Sequence, residues 1–177
     1  MVRGDIRIFN DVIHVHRYLK SIVYGGLDGI ITTFAVVAGV AGAALGSNIV
    51  LILGFANLIA DGISMAIGDF LSTRAYLEMR PSTKKALPLK NAFATFISFL
   101  IFGFIPLMAY VVSLFYPLEN LFEVSIGLTG FALFILGSLK YRITGRHWLR
   151  SGFEMLIIGG IAASAAYFIG AFIASVI

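Results

Sequence analysis

The sequence predicts an all-α integral membrane protein with five transmembrane helices, and three observations predict it. Of the 177 residues, 59% are hydrophobic and only 12% are charged, about half the share of charged residues usual in a soluble domain. Five stretches reach the ~20 mostly apolar residues that a hydrocarbon core requires: residues 25–46, 49–73, 92–115, 122–139 and 153–177. All thirteen lysines and arginines then fall on one side of the five-span layout.

Taken in order, residues 1–24 form an N-terminal segment ahead of the membrane, and residues 25–177 form a single five-span domain. Arg3, Asp5, Arg7 and Asp11 interrupt the start of the chain, with no compact apolar region and no small-residue cleavage site, so no cleavable signal peptide is expected. Residues 6–20 alternate apolar and charged positions, as an amphipathic helix at the inner interface does. His14 and His16 lie two apart and point to different sides of a helix, which favours interfacial side chains over a metal-binding pair. The third span contains Pro106, which is expected to kink it in a way that neighbouring helices make tolerable. Tyr141 and Trp148 fall where interfacial aromatic anchors sit. Arg3, Arg7, Arg17 and Lys20 precede the first span. Arg74, Arg80, Lys84, Lys85 and Lys90 lie between the second and third, and Lys140, Arg142, Arg146 and Arg150 between the fourth and fifth. Short basic loops stay cytoplasmic, so the N-terminus is expected inside and the C-terminus outside.

The chemistry concentrates in the stretch A-N-L-I-A-D-G-I-S-M-A-I-G-D-F, residues 56–70. Asp61, Met65 and Asp69 follow one another at intervals of four, with Asn57 one turn further out, so all four lie along one stripe of a helix. Asp28, in G-G-L-D-G, adds a carboxylate near the inner end of the first span. The second span returns toward the inner side, so a shared polar seam is expected, with Asp69 near the depth of Asp28. An aspartate at mid-span costs about 2.5–3.5 kcal/mol, and no lysine or arginine lies within any span to offset it. Hydrogen-bonded glue between helices contributes only about 0.6–2 kcal/mol per contact, and Ser, Thr or Asn usually supply it. Intramembrane carboxylates facing a cavity are ordinarily ion or proton sites. Carboxylates alone suit Mg²⁺ or Ca²⁺; a thioether adds affinity for softer transition metals. Met65 therefore reads either as a ligand for an ion such as Fe²⁺ or Mn²⁺ or as simple packing. Protons and metals compete for carboxylate oxygens, which is the chemical basis for exchanging one against the other.

Other features limit the alternatives. The chain has no cysteine, which excludes disulfides, thiolate metal sites and thiol catalysis. The net charge of +4 is explained by the one-sided loops and gives no reason to expect nucleic acid. The spacings Gly25-x-x-x-Gly29 and Gly42-x-x-x-Gly46, and a small-residue face at Gly159, Gly160, Ala163 and Ala166, permit close helix packing, either within the bundle or between two copies. No internal repeat is evident, and a bundle this small needs a partner to enclose a polar path, which favours a symmetric homodimer.

The stretches Y-G-G-L-D-G-I-I-T-T-F-A-V-V-A-G-V-A-G-A and A-D-G-I-S-M-A-I-G-D-F-L-S resemble the first two spans of the vacuolar iron transporter family. L-G-S-L-K-Y-R-I-T-G-R-H-W-L-R-S-G and G-G-I-A-A-S-A-A-Y are similar to its fourth-to-fifth span region. The resemblance covers nearly the whole chain from Val23 onward. It implies a five-helix dimer that moves Fe²⁺, and often Mn²⁺, out of the cytoplasm in exchange for protons. It implies no enzyme activity and no resident cofactor; the divalent ion, the protons, a second copy and the bilayer are the partners. Asp28 matches the family's first-span metal aspartate and Met65 its second-span methionine, while Asp61 and Asp69 match acidic positions of the same motif. Members with a cytosolic metal-binding domain insert it between the second and third spans. Here that connection reads L-E-M-R-P-S-T-K-K-A-L-P-L, with one glutamate and a net positive charge. Glu78 and Met79 alone cannot form such a multi-metal site. The chain is closer to the short nodulin-like and prokaryotic members, and the plasma membrane of a prokaryote is its expected location.

Readings from other classes are an intramembrane aspartyl protease, a passive divalent cation channel and a non-transporting structural protein. The protease chemistry needs two aspartates sharing a proton and resembles a G-x-G-D motif, where this chain reads Ala66-Ile67-Gly68-Asp69. A channel would pass metal without any proton requirement.

Overall fold

The computed structural model describes residues 2–79, 87–139 and 147–177, with side chains of the first helix described from Lys20 onward. Every regular element in these residues is helical: α1 (Val2–Gly42), α2 (Ser47–Met79), α3 (Pro88–Gly103), a 3₁₀ turn (Ile105–Leu107), α4 (Met108–Val112), α5 (Leu121–Leu139) and α6 (Trp148–Val176). Five helical stretches among the described residues are long and apolar enough to cross a membrane: Lys20–Gly42, Ser47–Met79, Pro88–Val112, Leu121–Leu139 and Trp148–Val176. The protein is an integral, multi-pass membrane protein.

Helix boundaries follow local chemistry. The first span ends at Gly42, four residues before the sequence-based limit. Ala44 adopts a left-handed conformation (φ 53°), and the Leu45 amide donates back to the Val40 carbonyl at 3.1 Å. These bonds satisfy the last carbonyls that a helix end leaves over. The pre-membrane segment is not a separate element, because its backbone runs unbroken into the first span. Its side chains before Lys20, those of His14 and His16 included, lie outside the described residues, as do Tyr141 and the basic residues Arg80, Lys84, Lys85, Lys140, Arg142 and Arg146. Helix α2 continues six residues past its expected end to Met79, where Arg74 Nε pairs with Glu78 Oε1 at 3.0 Å across one turn. With 33 residues it is about 50 Å long, longer than the ~30 Å hydrocarbon core.

The third span does break at Pro106. Proline has no amide hydrogen, so the carbonyl one turn earlier loses its ordinary partner. The helix ends at Gly103 and resumes through the 3₁₀ turn into α4. The fourth span helps hold the break, with Ser125 Oγ donating to the Pro106 carbonyl at 2.7 Å.

Helix α1 is the central post, in contact with each of the other spans. Three of the glycines in those spacings, Gly25, Gly29 and Gly42, serve close packing within the bundle. A Cβ on Gly25 would meet the Thr95 carbonyl at 2.6 Å, and one on Gly29 the Phe99 carbonyl at 2.5 Å, both on α3. At the other end, a Cβ on Gly42 would strike the Tyr167 carbonyl of α6, and one on Gly170 the Gly39 carbonyl. These are close approaches inside one protomer. Phe34, Val37, Val40, Val50, Leu58, Phe99 and Leu107 form the main apolar cluster around that post, and Phe34 stacks on Phe122, which stacks on Tyr167. Trp148 packs edge-on against Phe134 at the start of α6, half exposed, as an interfacial anchor does.

Candidate functional site

The site grows out of the reversal between α1 and α2. Two helices that turn back between Gly42 and Ser47 bring residues of α1 and α2 face to face at fixed pairs of depths. Ser21 meets Asp69, with Ser21 Oγ donating to Asp69 Oδ2 at 3.1 Å. Two turns further along α1, Asp28 meets Asp61, and the two carboxylates lie within electrostatic reach of each other. The depth expected from sequence paired Asp28 with Asp69; the observed register pairs it with Asp61. Both Asp28 and Asp61 are half-buried, and among the described residues no hydroxyl donates to either carboxylate. Thr32 Oγ1 bonds the Asp28 backbone carbonyl instead, at 2.8 Å.

Met65 stands on α2 one turn from Asp61 and one turn from Asp69. Part of it packs on the main apolar cluster. It also lines a cavity of about 660 Å³ together with Lys20, Ser21, Tyr24, Asp69 and Tyr76. This cavity opens at the end of the bundle where Lys20, Arg74 and Lys90 lie. From there inward the order is Asp69, Met65, then Asp61 beside Asp28. One turn deeper, the Asn57 amide nitrogen is buried with no hydrogen-bond partner. Beyond Asn57 the space between α1 and α2 is taken by apolar side chains such as Val37, Val40 and Val50. The cavity is therefore open at the basic end, and the other end of the α1–α2 seam is filled by apolar side chains.

Asp69 differs from the other two acids. Its carboxylate accepts from Ser21, from Thr73 Oγ1 at 3.2 Å and from Thr95 Oγ1 at 2.5 Å. Sequence reasoning missed these hydroxyls: Thr73 was legible at i+4 from Asp69, but no pattern ties Thr95 of α3 to it. Among the described residues no three His, Asp or Glu side chains gather into a metal-holding cluster within one protomer. Along this seam a single chain offers two carboxylates within electrostatic reach of each other and, one turn away on α2, a thioether.

The α2 surface beside this path is unusual. Ala56, Ala60, Ser64, Gly68 and Ser72 recur every four residues and are all exposed, next to exposed Ile59, Ile63, Ile67 and Leu71. Such a flat small-residue stripe lets another helix approach closely.

Known proteins share this chain's sequence over most of its length. The profile of the VIT family matches residues 19–86 and 75–171, two stretches that meet in the connection between the second and third spans. The chain is 28% identical to vacuolar iron transporter 1 of Arabidopsis thaliana over 212 aligned positions, covering 84% of this chain and 83% of that protein. It is 28% identical to the vacuolar iron transporter of Plasmodium berghei over 221 positions, covering 86% and 81%. To the Toxoplasma gondii vacuolar iron transporter it is 53% identical over 58 residues, a third of this chain and 19% of that one. The two longer alignments exceed the length of this chain, so those relatives carry insertions.

Proposed function

This chain belongs to the VIT family, and on that premise we propose that it moves a divalent transition metal ion, Fe²⁺ and with it Mn²⁺, out of the cytoplasm in exchange for protons. The observation that carries the proposal is the Asp28–Asp61 pair, within electrostatic reach of each other and one turn inward of Met65, which lines the cavity at the basic end. Two like charges held together in a low-dielectric seam are costly alone, and a divalent cation neutralises both. Asp28, Asp61 and Met65 form the cargo site, and Asp69 stands at its mouth. Protons compete for the same carboxylate oxygens, so metal release and proton binding are coupled by the chemistry of the ligands.

The positive-inside rule places the basic end, and with it the cavity, in the cytoplasm. The closed half then faces outward, and the path is ready to accept cargo from inside. The short connection after α2 fits the prokaryotic type of member, in the plasma membrane. A homodimer across the α2 small-residue stripe completes the path, because the stripe borders a site to which one protomer contributes only three side chains.

Uptake into proteoliposomes with an internal pH dye, over a panel of divalent ions, tests the exchange. Metal flux is expected to drive a proton flux in the opposite direction and to respond to an imposed pH gradient. Flux indifferent to that gradient would make the protein a passive channel. For the dimer, cysteines introduced singly at Ala60 and Ser64 in this cysteine-free chain are expected to cross-link between copies; monomers alone, in both mild detergent and lipid, would overturn it.

Met65 is expected to set selectivity more than rate. Met65→Leu keeps the volume and removes the sulfur, at a packing cost usually under about 1.5 kcal/mol. Fe²⁺ and Co²⁺ fluxes should fall severalfold more than Mn²⁺ flux, which depends mainly on oxygen ligands. Initial uptake rates at matched protein load measure this. An equal loss for every ion means that Met65 shapes the path without touching the metal.

A further inference from the structure

The carboxylate of Asp69 ties three spans together. Ser21 belongs to the first span, Thr73 to the second and Thr95 to the third, and all three hydroxyls donate to it. Thr95 is fully buried, and at the same level the bare Gly25 brings the α1 backbone against the backbone of Thr95. One turn away Ser98 Oγ donates to the Ile22 carbonyl at 2.5 Å, joining α3 to α1 again. Among the described residues nothing comparable holds the carboxylates of Asp28 and Asp61. A cation at Asp69 would have to displace hydroxyls already placed there; a cation at the Asp28–Asp61 pair would not.

We propose that Asp69 is a positioning residue rather than a cargo ligand: it clamps the first three spans at the cavity mouth through Ser21 and Thr95, and so holds the register that sets Asp28 beside Asp61. Thr95 is the key donor, since among the described residues it alone reaches Asp69 from outside the α1–α2 pair. The inference rests on the transport reading for its flux measurement, but not for its structural one.

The test compares Thr95→Val, which removes the hydroxyl at nearly constant shape, with Thr95→Ser, which keeps it, and with Asp69→Asn. The structural readout is a single cysteine replacing Tyr24, an exposed cavity-lining position on α1 away from the α2 stripe, labelled with a membrane-impermeant maleimide. Thr95→Val and Asp69→Asn are expected both to change the labelling rate and to lower metal flux, by about five- to tenfold, the scale of one hydrogen bond. Thr95→Ser should restore both. The double variant Asp69→Asn/Thr95→Val should be no worse than Asp69→Asn, since both remove one clamp. The order of preference among Fe²⁺, Mn²⁺, Co²⁺ and Zn²⁺ should stay as in the wild type. Thr95→Val behaving like Thr95→Ser overturns the clamp, as does an altered order of ion preference in Asp69→Asn, which would make Asp69 a ligand. If Asp69→Asn does not fold, the valine and serine variants at Thr95 decide alone. A wild-type protein that moves no metal would remove the transport reading, and the labelling comparison would still test the clamp.

Discussion

Asp28→Asn is expected to cut metal flux by about two orders of magnitude while leaving the protein folded. For a half-buried group, removing one partner of a charge interaction falls at the low end of the range for buried pairs, about 3 kcal/mol, and each ~1.4 kcal/mol is tenfold. The substitution keeps the size of the side chain and removes a charge that binds both metal and proton. In the metal-free protein the two neighbouring acids repel each other, so Asp28→Asn should leave thermal stability equal to or above that of the wild type. Loss of flux without loss of stability is thus the signature of a cargo site. Flux at the wild-type level would show that the carboxylate pair is not on the path.

The second large effect is structural. Gly42→Ala and Gly170→Ala each force a methyl group against a backbone carbonyl across the α1–α6 crossing. A carbonyl cannot move aside as a flexible side chain can, so the helices must separate. Overpacking a tight interior costs about 1–3 kcal/mol, with the backbone case at the upper end. For a chain of this size that corresponds to a fall in Tm of roughly 10 °C. Gly160→Ala is the control, since a Cβ there meets nothing within 4 Å in the protomer. Thermal unfolding followed by fluorescence or gel filtration in detergent should separate the two classes. Equal behaviour at Gly160 and Gly170 would mean the crossing is looser than the structure shows.

Much of this architecture was legible because a membrane imposes simple rules. The one-sided distribution of Lys and Arg fixes the number of spans, and Pro106 marks the break in the third. A period of four residues aligns Asp61, Met65 and Asp69 without any tertiary information. Depth was harder. Helices that reverse between Gly46 and Ile49 would set Asp28 opposite Ile67, next to Asp69. The actual reversal, between Gly42 and Ser47, sets it opposite Asp61. A shift of a few residues in where one turn falls moves the pairing by almost two helical turns, and the turn depends on Ala44 accepting a left-handed conformation that its residue type does not announce. The role of Thr95 was out of reach for another reason. It depends on how α3 lies against the other two helices, and no periodicity within one helix records that.

The length of α2 has a bearing on how such proteins diversify. Even at a tilt of about 40°, the steep end of what bilayer helices adopt, a 33-residue helix rises clear of the hydrocarbon layer. Its last turns, carrying the Arg74–Glu78 pair, act as a plinth. Anything appended after Met79 starts nearly three turns past Asp69 on the same helix, beyond the Arg74–Glu78 pair. A folded module can therefore be gained or lost at this point without re-engineering the bundle beneath it, and the same junction is a natural place to attach a reporter or a purification handle.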